Sequence, residues 1–170
     1  MNLKDFELAP FYNLDKEWAL LTVGNKNLFN MMTISWGGFG TLWHKPIVTV
    51  YVRKSRYTYE LLQNEEYFTI SFYDDEYRSD LGILGSKSGR DINKMEEISL
   101  TAKTLENAMT FEEAKLTIVC KKIYNQELNI NNIPREYFER FYENDDVHEM
   151  FIGEVIEIID KRSLRIAADI

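Results

Sequence analysis

The hexapeptide Arg53 to Thr58, R-K-S-R-Y-T, brings together the groups that hold a phosphate monoester. Arg53 and Arg56 offer forked cations, and Ser55 and Thr58 offer hydroxyls. The stretch lies where an apolar run ends and a helical pattern begins, so free backbone N–H groups and the positive end of a helix add to them. A capped helix with solvated basic residues would carry the same letters. Anion binding ranks above it because residues 44 to 59 contain Lys45, Arg53, Lys54 and Arg56 without one Asp or Glu, while the chain as a whole has a net charge of −8. A compact basic segment in an acidic protein suits one small anion better than a polymer, and the overall acidity argues against nucleic acid as the main partner.

Two further stretches point the same way. Gly85 to Asp91, G-S-K-S-G-R-D, is a second anion loop in which Ser86, Lys87 and Ser88, with Lys94 just beyond, can close over the same phosphate. It is not a P-loop, because the spacing G-x-x-x-x-G-K-[ST] is absent and a helix rather than a strand precedes it. Thr33 to Trp43, T-I-S-W-G-G-F-G-T-L-W, has three glycines in four residues bracketed by Trp36 and Trp43, and reads as a loop that lets a flat ligand lie against main chain. A β-turn with two core tryptophans is the bland alternative. A phosphorylated planar cofactor unites the three stretches, and flavin mononucleotide (FMN) fits better than a dinucleotide, for which no G-x-G-x-x-G fingerprint exists.

The elements that must position these residues follow from periodicity. Residues 1 to 17 read as a lead-in that packs on the domain, and Trp18 to Val23 as a strand ended by the turn pair Gly24-Asn25. Asn30 to Trp36 is its hairpin partner, with Met32, Ile34 and Trp36 on one face and Met31, Thr33 and Ser35 on the other. Pro46 opens a central strand, I-V-T-V-Y-V, and Ser55 is the expected N-cap of a helix over 57–63. Tyr67 to Tyr73 is a half-buried strand, and Asp75 to Leu84 a short helix stopped by Gly85. A helical turn over 92–97, strands over 109–114 and 116–124, a helix opened by Pro134 and a closing strand from His148 to Ile159 complete the reading. Strands joined by short connections predict a mainly β, antiparallel barrel with a few short helices at its ends, in a single domain over 1–170.

The composition, 45% hydrophobic and 28% charged over 170 residues, is that of an ordinary folded domain. The lone cysteine, Cys120, cannot form an internal disulfide and shares an apolar strand face with Leu116 and Ile118, which predicts an inert buried thiol in a reducing compartment. With no signal-peptide core and no membrane-length apolar run, a cytoplasmic location is expected. His148 has a functional and a structural reading, of which the structural one is preferred, and His44 is read equally as a cofactor or nicotinamide contact or as a solvent-exposed residue. The run E-N-D-D over 143–146 is expected to be a solvated turn rather than a metal site.

N-M-M-T-I-S-W-G-G from Asn30, K-P-I-V-T-V-Y-V-R-K-S-R-Y-T from Lys45, G-S-K-S-G-R-D-I-N-K from Gly85 and H-E-M-F-I-G-E-V from His148 together resemble the flavin reductase-like family, in its flavoredoxin-like branch. The resemblance spans roughly residues 16 to 160 and implies an FMN-binding split β-barrel, a homodimer and non-covalent FMN near the subunit interface. It implies Asn30, Thr33, Ser35 and Trp36 beside the isoalloxazine and ribityl groups, Arg53, Arg56 and Thr58 on the phosphate, and Ser86, Lys87, Ser88 and Lys94 completing the pocket, with Ser55 adjoining. The function expected is an NAD(P)H-dependent flavin reductase that passes hydride from NADH or NADPH to FMN. The alternatives are an electron carrier served by a redox protein partner and a flavin-binding module without turnover.

Overall fold

The computed structural model describes residues 6–162; the first five residues of the lead-in and residues 163–170 lie outside it. Nine strands are present among the described residues: β1 Ala19–Asn25, β2 Leu28–Ile34, β3 Gly37–Leu42, β4 Lys45–Arg53, β5 Tyr67–Phe72, β6 Ala102–Thr104, β7 Met109–Phe111, β8 Leu116–Glu127 and β9 His148–Asp160. Seven form one antiparallel sheet in the order β2-β1-β5-β8-β9-β4-β3, and β6 pairs with β7 in a separate hairpin. The sheet begins with β2 and ends with β3, which are consecutive in the chain. Its two edges are therefore joined by the short segment Ser35-Trp36 and not by a hydrogen-bonded ladder, which makes the barrel a split one.

Alternation along each strand builds the core. Ala19, Leu21 and Val23 of β1, Met32 and Ile34 of β2, Val48, Val50 and Val52 of β4, Phe68, Ile70 and Phe72 of β5, and Leu116, Ile118 and Cys120 of β8 form one buried cluster that fills the barrel. Helix α2, Tyr57–Asn64, adds Leu61 and Leu62 to it. The opposite face of β1 and β2 carries Leu20 and Met31 into a second cluster with Leu81 and Leu84 of α3, Arg78–Ser86, and with Phe111 of β7. The long β8–β9 ladder has register breaks at Val119/Cys120 and Lys122/Tyr124, the irregularities that let long strands bend round a barrel.

The expected strand faces of β2 are those observed, and the hairpin with β1 is present. Several local expectations are corrected. Trp18 does not begin β1, because its backbone sits at φ 67° and ψ 158°, a region almost reserved for glycine, with the Arg78 guanidinium 3.2 Å from its ring centroid. The hairpin turn falls after Asn25, since Gly24, at φ 113°, is still paired with Phe29. The glycine-rich stretch is not a loop but strand β3, paired with β4 from Gly37↔Val50 to Leu42↔Lys45. Its turn is made by Trp43 and His44, both at positive φ (52° and 61°), the backbone of a two-residue hairpin turn.

Gly85 lies inside α3 and not at its stop; a Cβ there would stand 3.2 Å from the Thr33 Cβ, so glycine lets the helix sit close on β2. Ser55 is not the N-cap of α2, a position held by Arg56 without a side-chain cap. Pro134 is the N-cap of α4, Arg135–Phe141, and the short turn α1, Pro10–Tyr12, precedes a further turn that sets Leu14 into the barrel core. Strand β6 had no sequence expectation, and β8 extends to Glu127.

Candidate functional site

A cleft with two connected compartments opens along the seam between β2 and β4. The wider one, about 390 Å³, is lined by Thr33, Ser35 and Trp36 on one side and by Tyr51, Arg53 and His148 on the other. The narrower one, about 40 Å³, lies between Asn30, Arg56, Thr58 and Lys94 and the turn containing Ser88 and Gly89, with Lys87 at its margin. Met32, Ser55 and Arg56 line both, so the narrow compartment is the inner end of the wide one. Ser86 lines a side depression that shares Thr33 and Ser35. All twelve residues singled out in the sequence thus border one connected site, although their side chains are used differently.

The narrow end is built for an anion. The Lys94 side chain is buried, and its Nζ donates to the Met31 carbonyl at 2.7 Å and the Leu84 carbonyl at 3.1 Å. Burial, and then the nearby Arg56 guanidinium, lower the Lys94 pKa to about 8. Arg56 donates to the Gly85 carbonyl. Neither cation has a carboxylate partner among the described residues, whereas Lys45 pairs with Glu154, Arg53 with Asp145, Lys54 with Glu127 and Lys87 with Glu97. Two adjacent cations, one of them desolvated and both without a counter-ion, are costly unless an anion joins them. Asn30 donates to the Thr58 hydroxyl at 2.8 Å, which fixes both side chains at the floor.

The wide end is aromatic and differently wired. Trp36, 39% exposed, meets the Phe141 ring at 5.3 Å and the His148 ring at 5.1 Å. The His148 Nδ1 shares a 3.0 Å hydrogen bond with the Tyr142 hydroxyl, and burial together with the Arg53 charge lowers its pKa to about 4, so the ring is neutral at neutral pH. Arg53 donates to the Asp146 carbonyl at 2.9 Å and the Phe141 carbonyl at 3.0 Å. It also pairs with the Asp145 carboxylate at 2.7 Å. The Asp146 carboxylate takes the Ser55 amide at 2.8 Å and the Ser55 hydroxyl at 2.9 Å. Burial opposes that charge, but the Ser55 amide, Asp145 and the Ser55 hydroxyl together hold the carboxyl below its ordinary value.

The acidic run is a solvated turn over 143–145, as expected, but Asp145 and Asp146 also dock on the basic hexapeptide and satisfy Arg53 and Ser55, which leaves Arg56, Thr58 and Lys94 as the open part of the anion end. Thr33 is also committed, its hydroxyl donating to the Leu81 carbonyl at 2.5 Å and tying α3 to β2. Ser86 donates to the Gly82 carbonyl at 2.9 Å, and the Ser88 hydroxyl accepts from the Arg90 amide at 3.2 Å. Among the described residues no cluster of His, Cys, Asp or Glu is arranged to hold a metal ion. Cys120 is fully buried in the barrel, and burial pushes its thiol pKa up.

Two residues at the site, Tyr51 and Arg90, had no sequence assignment, and His148 owes its place there to long-range pairing. Tyr51 was legible, because alternation from the inward Val48, Val50 and Val52 puts it on the same face as Arg53. The opposition of His148 to Arg53 in the β4–β9 ladder is long-range and leaves no local signal. Arg90 is the second unassigned residue. It donates to the Ser55 carbonyl at 2.7 Å, pairs with Glu60 and lies over the Tyr57 ring at 5.6 Å.

Residues 11–165 match the family model described as flavin reductase like domain. No curated protein sequence matches the chain. Solved structures of similar fold include a flavoredoxin from Methanosarcina acetivorans, 21% identical, over 86% of this chain and 69% of that one, with a TM-score of 0.65. An FMN-binding protein from Thermus thermophilus with bound 1-cyclohex-2-enone is 20% identical over 94% of this chain and 79% of that one, at a TM-score of 0.68. The styrene monooxygenase flavin reductase of Pseudomonas putida S12 is 16% identical over 86% and 80%, at 0.63. At these identities the likeness is one of fold.

Proposed function

Given that this chain belongs to the flavin reductase-like domain family, we propose that it holds FMN without a covalent bond and works as an NAD(P)H-dependent flavin oxidoreductase. The observation that carries the reading is the pair of cations, Lys94 and Arg56, without a carboxylate partner among the described residues at the inner end of a cleft whose outer end is walled by Trp36. The residues fit the group: a phosphate meets Arg56, Lys94 and the Thr58 hydroxyl, and a flat ring system has room along Ser35, Trp36 and Tyr51. When bound, FMN supplies the electron-transfer chemistry, and the protein supplies binding, orientation and the surrounding charge.

In this reading Lys94 and Arg56 fix the phosphate, Asn30 holds Thr58 in place, and Trp36 with the neutral His148 forms a wall that brings no positive charge to the ring end. The docked acidic turn cancels the charge of Arg53, so the positive potential is concentrated at the phosphate end alone. No side chain is required as nucleophile or acid–base pair. The buried Cys120 suits a reducing compartment, and the cytoplasm is the location proposed. A homodimer is proposed as well, supported by the groove of about 780 Å³ beside the site, whose lining includes Phe11, Trp36 and Phe39.

Reconstitution with FMN, desalting, and visible spectra before and after anaerobic addition of NADH or NADPH test the proposal. Retained flavin that bleaches with a nicotinamide nucleotide is the expected result, and loss of all flavin on desalting refutes the reading. The net charge of −8 favours one second reading, an electron carrier that docks on a basic redox protein. In that case the flavin is retained and stays oxidised with both nucleotides.

A further inference from the structure

We propose that residues 129–146 form a lid over the ring end of the cleft, latched by Asp145 and Asp146 on Arg53 and Ser55, and that this latch sets how fast ligands enter and leave the wide compartment. The lid rests on the reading of the cleft as a flavin site and adds how that site is entered.

Three features carry it. The first is how the segment leaves the barrel. Strands β8 and β9 are paired as far as Glu127↔Glu149, and the Leu128 amide donates to the His148 carbonyl at 3.0 Å, so the chain departs and returns through one narrow neck. The second is how little holds the segment beyond that neck. No residue from Asn129 to Phe141 is buried, and Ile130 and Tyr137 are about half exposed. Among the described residues, the hydrogen bonds, ion pairs and ring contacts of residues 129–140 stay within the segment. An element with so few buried contacts is the kind that opens locally while the rest of a domain stays folded. The third is where it is held. The Arg53 guanidinium donates to the Phe141 and Asp146 carbonyls and pairs with Asp145, while the Asp146 carboxylate accepts from the amide and the hydroxyl of Ser55. The Phe141 ring meets Trp36 edge to face, and the Tyr142 hydroxyl shares a hydrogen bond with the His148 Nδ1.

The latch sits on the cleft itself. Trp36, Arg53, Ser55 and Asp145 line the wide compartment, and Leu128 and Tyr142, near the two ends of the lid, line the groove that joins it at Ser35, Trp36 and Tyr51. Swinging the segment out about its neck takes Asp145 from the compartment wall and Phe141 from Trp36, while the β4–β9 ladder, which runs to Arg53↔His148, stays in place. A few charge-assisted bonds on a segment without a core of its own are strong enough to hold it shut and few enough to break together.

Amide hydrogen exchange of the flavin-free protein, and stopped-flow association and dissociation rates of FMN and of uncharged riboflavin, test this for the wild type, Asp146→Ala and Asp145→Asn. Asp146→Ala removes both bonds to Ser55 and should speed exchange of the Tyr142 and Asp145 amides about tenfold, with the β6–β7 hairpin unchanged. Asp145→Asn removes one ion pair, should speed that exchange about threefold, and serves where Asp146→Ala does not fold. For both flavins the two rates should rise together by these same factors, their ratio changing less than about twofold, because a lid alters the path and not the bound state. Faster entry of FMN alone, with riboflavin unchanged, means relief of charge repulsion and overturns the lid. Exchange at wild-type speed in the folded variants, or a change in only one of the two rates, overturns it as well. If neither flavin binds the wild type, the flavin reading falls and exchange, measured without flavin, decides the lid: wild-type speed overturns it and the expected acceleration upholds it.

Discussion

Lys94 makes a titratable prediction because its charge is held near 8 by burial and by Arg56, not by a partner carboxylate. A bound phosphate dianion raises that value, so FMN affinity is level below pH 8 and falls as the free protein loses the Lys94 proton, by up to about tenfold per pH unit. Affinities measured from pH 6.5 to 10 read this directly, and Lys94→Met should flatten the profile and weaken FMN about tenfold to a hundredfold at pH 7. A wild-type profile without a slope above pH 8 would remove Lys94 from the phosphate site. His148 titrates in the opposite sense for stability. Its folded pKa of about 4 lies below the unfolded value of 6.5, so the unfolded chain takes up the proton first and stability falls as pH drops from 6.5 towards 4, by roughly 3 kcal/mol. Urea midpoints at pH 7 and pH 4.5 should show that loss shrinking in His148→Phe. Asp146, Glu149 and Asp160, also held low, lose their contribution below their ordinary values of 3.8 to 4.5, so the difference between the two proteins isolates the histidine.

At the scale of elements, β3 shows why part of the fold was hidden in the sequence. A run of Gly37, Gly38 and Gly40 lacks the side chains that signal a strand, yet its backbone pairs with β4 throughout. Only Gly37 is required for space, since a Cβ there would lie 2.7 Å from the Thr49 carbonyl oxygen, while Gly38 and Gly40 face nothing within 4 Å. Gly37→Ala should therefore cost about 1–3 kcal/mol and Gly38→Ala under about 0.5 kcal/mol in chemical denaturation. The turn that follows places Trp43 and His44 at positive φ, where Asn-Gly is preferred; replacing the pair by Asn-Gly should stabilise the hairpin by about 1 kcal/mol, read as a raised midpoint. What was legible was local: the alternation of β2, the strand–helix junction at 53–58 and the S-K-S-G-R-D turn each carry their signal within a few residues. The docking of the acidic turn was not, because Arg53 and Asp146 meet 93 positions apart and only the register of β4 against β9 brings them together. A second long-range bond engages Ser55, whose hydroxyl donates to the Asp146 carboxylate and not to the start of α2, where Arg56 holds the N-cap position.

For the whole molecule, the split in the barrel and the position of the site are one fact. The sheet runs from β2 to β3 without a ladder between them, so the two edges are held by the Ser35-Trp36 link, by packing in the barrel and by Trp36 resting on Phe141 and His148. The cleft takes its walls from both sides of that break: Asn30 and Thr33 stand on β2, while Tyr51 and Arg53 stand on β4, which carries β3 on its outer side. A ligand that fills the cleft bridges what the ladder does not, and its binding energy appears as stability of the whole chain. At a free FMN concentration about a hundred times its dissociation constant the gain is about 2.7 kcal/mol, or roughly 5–11 °C in Tm for a chain of this size. Thermal melts with and without FMN measure the total, and amide hydrogen exchange locates it. The added protection should concentrate at β2 and at the β3–β4 hairpin, the two sides of the break, and should hardly reach the β6–β7 hairpin, which belongs to a separate sheet. Protection spread evenly over all nine strands, or confined to β6 and β7, would mean that the ligand does not bind across the seam, because only a bridging ligand makes opening at the seam costlier than opening elsewhere.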